Sequence, residues 1–331
     1  MILYKGKILK KVVNNQMNII KKIIICFFVF AITILPLCSC GQTQSESDVS
    51  VVTTIFAPYS FARELAGGKA EVTMLLPAGA DSHSYDPTPK ALLAVSKCDI
   101  FIYVGGEADS WVENIIAAAE NPDMKIIKLI DHTEELICAE HDHEHEHSHE
   151  HGHEHGEYDE HVWTSPRNAA LACKAIAAAL CEVDAENTDA YAENLASYKA
   201  ELAALDEEFK EIVASGARTE LVFGDRFPLI YFTEAYGLSY HAAFPGCAGN
   251  TEPSAATLAE LIAHVEEESI PAVFHISLST GNIADAICDA TGAKKLALHA
   301  CETVSKADFD ADVTYIELMR ENAEALREAL R

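Results

Sequence analysis

Residues 189–215 read DAYAENLASYKAELAALDEEFKEIVAS, and the rest of the chain is organised around this stretch. Its apolar side chains recur at alternating steps of four and three residues, which places them on one stripe of an α-helix. They are Tyr191, Leu195, Tyr198, Leu202, Leu205, Phe209 and Ile212. Thr188 or Asp189 can cap its start and Gly216 can end it. The spacing predicts one long helix, either an amphipathic surface helix or a short coiled-coil seam, that joins two halves of the chain.

Strand-like and helix-like stretches alternate on both sides of this helix. The strand-like stretches are 50–56, 71–76, 99–104 and 125–130 before it, and 220–223, 238–243, 271–276 and 294–298 after it. Such alternation is typical of parallel sheets covered by helices. We therefore predict an α/β fold of two lobes, each with a parallel sheet flanked by helices, joined by one long rigid backbone helix.

The N-terminal segment has the plan of a secretory signal. Residues 1–40 carry six lysines and no acidic residue, and an apolar run occupies 23–37. That run is short for a membrane-spanning helix. It leads to Cys40 in a sequence that resembles a bacterial lipobox, whose cysteine is lipidated; translation can start at Met1 or Met17. The predicted organisation is signal peptide 1–40, tether 41–49, N-terminal lobe 50–183, linking helix 184–216 and C-terminal lobe 217–331.

The charge of the chain restricts its partners. The formal net charge is −28, and removal of the signal lysines makes the mature chain more acidic still. This excess argues against nucleic acid and against an anionic membrane surface as partners. We expect an extracytoplasmic protein that handles cations and touches the membrane only through a lipid anchor.

The cysteines after the signal do not form a C-x-x-C zinc or redox pair. Cys247 and Cys301 both lie in loop-like segments of the second half. The sequence leaves open whether they form a disulfide, stay free or ligate a metal.

Residues 141–155 read HDHEHEHSHEHGHEH, an alternation of imidazoles and carboxylates. The eight histidines are His141, His143, His145, His147, His149, His151, His153 and His155. The run has no apolar face to pack in a core, so we predict a disordered loop that collects metal ions through many weak sites. The alternative is a solvated charge run without a role. Its H-E-x-x-H matches do not indicate a metalloprotease, since that motif needs a helix with a buried apolar face.

Three other histidines lie where two α/β lobes could bring them together. His83 and His299 follow predicted strands, and His161 stands just before a predicted helix. In parallel sheets, ligands bind at the carboxyl ends of the strands. If the lobes face each other across the long helix, these imidazoles could form a site for a borderline cation such as Zn²⁺. Each histidine alone is more often a hydrogen-bonded structural residue than a metal ligand.

Two motifs carry a resemblance to a known family. The segments PAGADSHSYDPTP, residues 77–89, and DEHVWTSP, residues 159–166, resemble two metal-ligand segments of the zinc- and manganese-binding lipoproteins of ABC uptake systems, cluster 9 or A-I. An acidic His-rich insertion before the second segment is typical of the zinc members. The resemblance implies two α/β lobes on a stiff helix, Zn²⁺ as the transported ligand with Mn²⁺ possible, and an ABC permease as partner.

The third ligand segment departs from the family pattern. The family usually has a histidine after the first strand of the second lobe, where this chain has Gly224. The fourth position of the family, usually an acid, aligns with His299. The resemblance thus implies His83, His161 and His299 as ligands. It leaves the fourth ligand open among Asp225, Glu252, His275 and water.

We therefore predict an extracytoplasmic, lipid-anchored protein that captures Zn²⁺ in the interlobe cleft and delivers it to an ABC permease. The alternatives are a binding protein for Mn²⁺ or another divalent metal, or an adhesin. A zinc-dependent hydrolase would need a general base beside an open metal position, and no motif supplies one. We expect no enzymatic activity.

Overall fold

The computed structural model describes residues 49–138, 158–244 and 253–331. They form two four-stranded sheets, ordered β2-β1-β3-β4 and β6-β5-β7-β8. The strands are β1 (Val49–Thr53), β2 (Ala70–Met74), β3 (Ile100–Tyr103), β4 (Lys125–Lys128), β5 (Glu220–Phe223), β6 (Ser239–Ala242), β7 (Ala272–Ile276) and β8 (Lys294–Leu298). Neighbouring strands pair in parallel throughout both sheets. The two sheets repeat one topology, and the predicted α/β fold class is confirmed.

Helices connect and cover the strands. They are α1 (Phe56–Ala66), α2 (Pro89–Val95), α3 (Val112–Ala119), α4 (Pro166–Val183), α5 (Thr188–Ser215), α6 (Ile230–Tyr236), α7 (Ala255–Glu267), α8 (Asn282–Thr291), α9 (Lys306–Asp310) and α10 (Tyr315–Ala329). The carboxyl ends of the strands lead into the loops that carry the candidate ligands.

The long helix α5 has 28 residues and buries the predicted stripe. Only Leu195 of that stripe is partly exposed. The polar Asp206 is buried beside the stripe because Arg167, Lys210 and the hydroxyl of Tyr236 bind its carboxylate. The stripe therefore faces protein along most of the helix, which excludes the coiled-coil alternative for these side chains.

The predicted end of α5 is confirmed, but its predicted capping residue is not. Gly216 ends the helix, as predicted. The capping position is Asn187 rather than Thr188 or Asp189, and its side chain makes no capping hydrogen bond. Asn187 instead donates to the carboxylate of Asp184 at 2.7 Å, so a tight turn from α4 sets the start of the helix.

One apolar core runs through both lobes. A single cluster of buried side chains extends from Val49 of β1 to Leu330 at the end of α10, with the α5 stripe inside it. Each sheet also has one smaller cluster of buried side chains, on the face opposite to the one that packs in the main core. Since the lobes share packed side chains, this interior resists their relative movement.

Several expectations fall on other parts of the chain. The signal peptide with Cys40, most of the tether, the run 141–155, Cys247 and Glu252 lie outside the described residues. The bounds of the lobes and of the linking helix remain predictions. Within 49–138, 158–244 and 253–331, no helix has the length and apolarity needed to cross a membrane.

Candidate metal site

The loop after β2 presents His83. The residue lies in a single 3-10 turn, Ser82–Ser84, and its backbone N–H donates to the side chain of Asp81 at 3.1 Å. Pro87 and Pro89 follow, so the loop cannot continue as a helix before α2 begins. The turn directs the imidazole between two carboxylates. His83 Nδ1 lies 3.8 Å from Glu160, and Nε2 lies 3.7 Å from Glu302.

His161 is fully buried at the turn that precedes α4. Asp159 accepts hydrogen bonds from the backbone N–H of His161 at 2.9 Å and from its Nδ1 at 3.0 Å. A proton held on Nδ1 directs the lone pair of Nε2 outward, which is the tautomer that a metal-binding histidine needs. Burial acts to raise the pKa of Asp159, but the charge and hydrogen bonds of His161 outweigh it and lower that pKa. Asp159 therefore stays ionised beside the ring.

Glu302 comes from the other lobe, in the loop after β8. Its carboxylate accepts a hydrogen bond from Ser82 Oγ, next to His83. The backbone of the same loop is fixed to the N-terminal lobe by three donors. Phe56 N–H donates to Glu302 O at 2.9 Å, Gly79 N–H to Val304 O at 2.8 Å, and Trp163 Nε1 to Ala300 O at 2.7 Å. This loop of the second lobe is thus held against both histidine segments of the first.

These three side chains form one potential metal site between the lobes. One ligand atom each from His83, His161 and Glu302 lies within 4.8 Å of the other two. The two imidazole rings are 6.3 Å apart between centroids. Two imidazole nitrogens and a carboxylate oxygen are a common donor set for Zn²⁺, with a fourth position left for water or another ligand.

Further carboxylates surround the site. Glu160 accepts from Ala108 N–H at 3.1 Å and packs so closely on Gly106 that any Cβ at residue 106 would collide with it. Burial raises the pKa of Glu160, and the attraction of His161 and His83 opposes that shift. Burial also raises the pKa of Asp109 to about 6, although the N–H groups of Gly105 and Val104 favour its ionised form. The cleft concentrates negative charge that a cation would offset.

The structure does not bring His299 to this group, contrary to the sequence-based expectation. Its Nε2 lies 2.9 Å from Glu321, and its backbone N–H donates to Asn322 on α10. The acid that reaches the site is Glu302, three residues further along the same loop. The position of Glu302 soon after a predicted strand could have indicated it. The resemblance instead placed the family's acidic position on His299.

The two fourth-ligand candidates that the structure describes, Asp225 and His275, also lie outside the group. Asp225 accepts from Ile276 N–H at 3.1 Å and from Ser279, so it joins the ends of β5 and β7. His275 Nδ1 lies 3.1 Å from the carbonyl of Ile276. A side chain at position 224 is excluded here, because its Cβ would approach the backbone of Ala284 on α8 to 2.5 Å.

Cys301 is free and buried among the core side chains next to the site. The structure therefore contains no disulfide at this residue. Burial raises the pKa of its thiol, which keeps it protonated and makes it a poor metal ligand.

Comparison with known proteins assigns the chain to a family. Residues 51–329 match the family model described as "ZnuA: Zinc-uptake complex component A periplasmic". The chain belongs to this family. A zinc-uptake component of this kind is a binding protein, so the expectation that the chain is not an enzyme is confirmed.

Two curated relatives illustrate the similarity. The chain is 29% identical to the high-affinity zinc uptake system protein ZnuA of Bacillus subtilis, over 92% of this chain and 96% of the relative. It is also 29% identical to the zinc-binding lipoprotein AdcA of Streptococcus pneumoniae, but spans 61% of that longer protein.

A solved structure shows the same architecture. The zinc-bound ZnuA-like domain of Streptococcus pneumoniae AdcA matches with a TM-score of 0.70 and 26% identity, over 85% of this chain and 98% of that domain. Its shape agrees with the two-lobe fold described above.

Proposed function

We propose that the chain captures Zn²⁺ outside the membrane in the cleft between its lobes and delivers it to an ABC permease. His83, His161 and Glu302 are the proposed ligands. The observation that carries the proposal is the approach of one donor atom from each residue to within 4.8 Å of the others. The family description as a zinc-uptake component and the zinc named for the relatives support zinc as the cargo.

The surroundings of the three residues suit capture of a dication. Neutral imidazoles and an ionised carboxylate are the states that bind zinc. Asp159 selects the metal-binding tautomer of His161, and Ser82 orients the Glu302 carboxylate. These outer contacts reduce the reorganisation that binding requires, which favours a tight site.

Capture and release would then depend on local movement of the loops that carry the ligands. The shared core and the backbone hydrogen bonds from Phe56 and Gly79 to the Glu302 loop oppose a hinge motion of whole lobes. In this proposal, a permease that binds the cleft side would release zinc by displacing the loop of His83 or of Glu302.

The N-terminal segment and the run 141–155 complete the proposal. Lipidation of Cys40 would keep the protein at the outer face of the membrane, near its permease. The eight histidines of the run would raise the local metal concentration through weak sites.

Competition with a chelator of known affinity tests the ligand set. We expect the mature chain to bind one Zn²⁺ tightly and to prefer it to Mn²⁺. The His83→Ala/His161→Ala double variant should lose this tight site, and Glu302→Gln should weaken it.

The matched control is His299→Ala, which removes an imidazole from the same loop as Glu302. It should leave the tight site unchanged, since His299 pairs with Glu321 rather than with the cluster. Retention of full affinity in the double variant, or equal losses in Glu302→Gln and His299→Ala, would refute the proposed set. A preference for Mn²⁺ would retain the site but change its cargo.

A further inference from the structure

A second group of potential ligands lies in the C-terminal lobe. Among the described residues it consists of Glu220, His241 and His264, whose ligand atoms also lie within 4.8 Å of one another. Glu220 opens β5, and His241 lies on the neighbouring edge strand β6. Because Val222 is the register partner of His241, Glu220 and His241 point to the same face of the sheet. Helix α7 covers this face with Leu261 and Val265 and brings His264 to its rim.

The three side chains converge on one point. His241 Nε2 lies 2.9 Å and His264 Nε2 lies 3.0 Å from the same oxygen, Oε1 of Glu220. The two rings are 4.2 Å apart between centroids. The side chains are 49% exposed for His241, 27% for His264 and 23% for Glu220. An ion from solvent can therefore reach all three.

This geometry is close to that of a bound metal ion. Zinc binds imidazole nitrogen and carboxylate oxygen at about 2.0–2.2 Å, so donor atoms around a tetrahedral ion lie about 3.3 Å apart. Small rotations of exposed side chains would open the observed 2.9 and 3.0 Å separations to that value.

The group is separate from the cleft site. Strand β6 is one edge of the second sheet, whereas Glu302 follows β8 at the opposite edge. Three strand spacings, about 14 Å, lie between those edges. Glu220 is also at the amino end of its strand, away from the carboxyl ends that face the cleft.

We propose that Glu220, His241 and His264 form a second binding site for a divalent cation of the zinc type, at the edge of the C-terminal lobe. It has three protein ligands and a fourth position open to water. Its greater exposure makes it weaker than the cleft site and faster to exchange. It would be occupied only when zinc is abundant.

Zinc stoichiometry of the mature chain tests the proposal. After equilibrium dialysis against excess Zn²⁺, the metal content of the wild type should exceed that of the His241→Ala/His264→Ala variant by one equivalent. A His132→Ala/His299→Ala variant is the matched control, since it loses two histidines outside both groups. It should bind as much zinc as the wild type. The run 141–155 is the same in all three proteins and cancels in the comparison.

Glu220→Gln is the second variant, since it keeps the shape and hydrogen-bonding capacity of the side chain while removing its charge. It should lose the same equivalent of zinc at intermediate zinc concentrations. Circular dichroism should confirm that each variant is folded. Equal zinc content in the His241→Ala/His264→Ala variant and the control would overturn the proposal and leave a hydrogen-bonded surface group.

The outcome is independent of the proposed function. The His83→Ala/His161→Ala variant should lose a different equivalent, the tight one. If that variant lost nothing while the edge variant lost one equivalent, the cleft assignment would fail and the second site would stand.

Discussion

At the scale of single residues, the candidate site depends on groups outside the proposed ligand set. Asp159 fixes the tautomer of His161, and Ser82 holds Glu302. The first contact was not predicted, although Asp159 and His161 are two residues apart in one motif and local sequence could have indicated it. Local sequence could not reveal the second, because Ser82 and Glu302 are 220 residues apart and meet only when the lobes pack.

Asp159→Asn should weaken zinc binding about 10- to 100-fold. The amide can still accept from the N–H groups of His161, so the fold should persist, but it no longer provides the charge that makes the ring a strong ligand. Chelator competition measures the change. Asp123→Asn removes an equal charge from an exposed turn and should have no effect. Equal affinities of the two variants would show that Asp159 is structural only.

Asp109 should make the zinc-free protein less stable as the pH rises. Its folded pKa of about 6 exceeds the ordinary 3.8, so the unfolded chain releases the proton first. The contribution of Asp109 to the free energy of unfolding is therefore lost between about pH 4 and 7. Asp109→Asn should abolish this loss, which is about 2–3 kcal/mol over that window.

Urea unfolding of the zinc-free chain at pH 4, 5, 6 and 7 measures this slope. Asp131→Asn, at an exposed position, is the control and should keep the slope of the wild type. If Asp109→Asn followed the wild type at every pH, the raised pKa of Asp109 would not govern the stability in this range.

At the scale of elements, local periodicity predicted most of the fold. The alternating steps of α5 marked the side chains that are buried, and Gly216 marked its end. The capping residue of α5 was missed because Asn187 bonds to Asp184 in the preceding turn instead of capping the helix. The short helix α9 was also not predicted from the sequence.

Phe209→Ala should destabilise the protein by about 3–5 kcal/mol. The ring is fully buried on α5 and packs against Phe232 at 4.8 Å and Tyr236 at 5.3 Å between centroids, so truncation leaves a cavity between α5 and α6. Urea unfolding at neutral pH gives the loss. Glu201→Ala on the exposed face of α5 should change stability by less than about 0.5 kcal/mol. Similar losses in both variants would contradict the burial argument.

At the scale of the whole molecule, the sequence predicted two lobes on a rigid helix but not the side-chain packing and backbone bonds that join the lobes directly. The single core from Val49 to Leu330 and the backbone bonds to the Glu302 loop arise from long-range packing that no local pattern encodes. The same limit explains why the sequence did not identify Glu302 as the acid at the candidate site. A one-dimensional alignment placed the acidic position on His299, whereas the path of the loop brings the residue three positions later to the histidines.

Zinc loading should leave the overall dimensions of the protein nearly unchanged. Because the lobes share a core, we expect the radius of gyration from small-angle X-ray scattering to change by less than about 1 Å. A contraction of several ångströms would show that the lobes close on the metal as hinged bodies.

The measurement that tests the central claim most directly is zinc-edge anomalous diffraction from crystals of the chain loaded with one equivalent of Zn²⁺. We expect the strongest peak between the lobes, about 2.0–2.2 Å from one nitrogen each of His83 and His161 and from a carboxylate oxygen of Glu302. A strongest peak remote from these three residues, or one bonded to His299 in place of Glu302, would contradict the account.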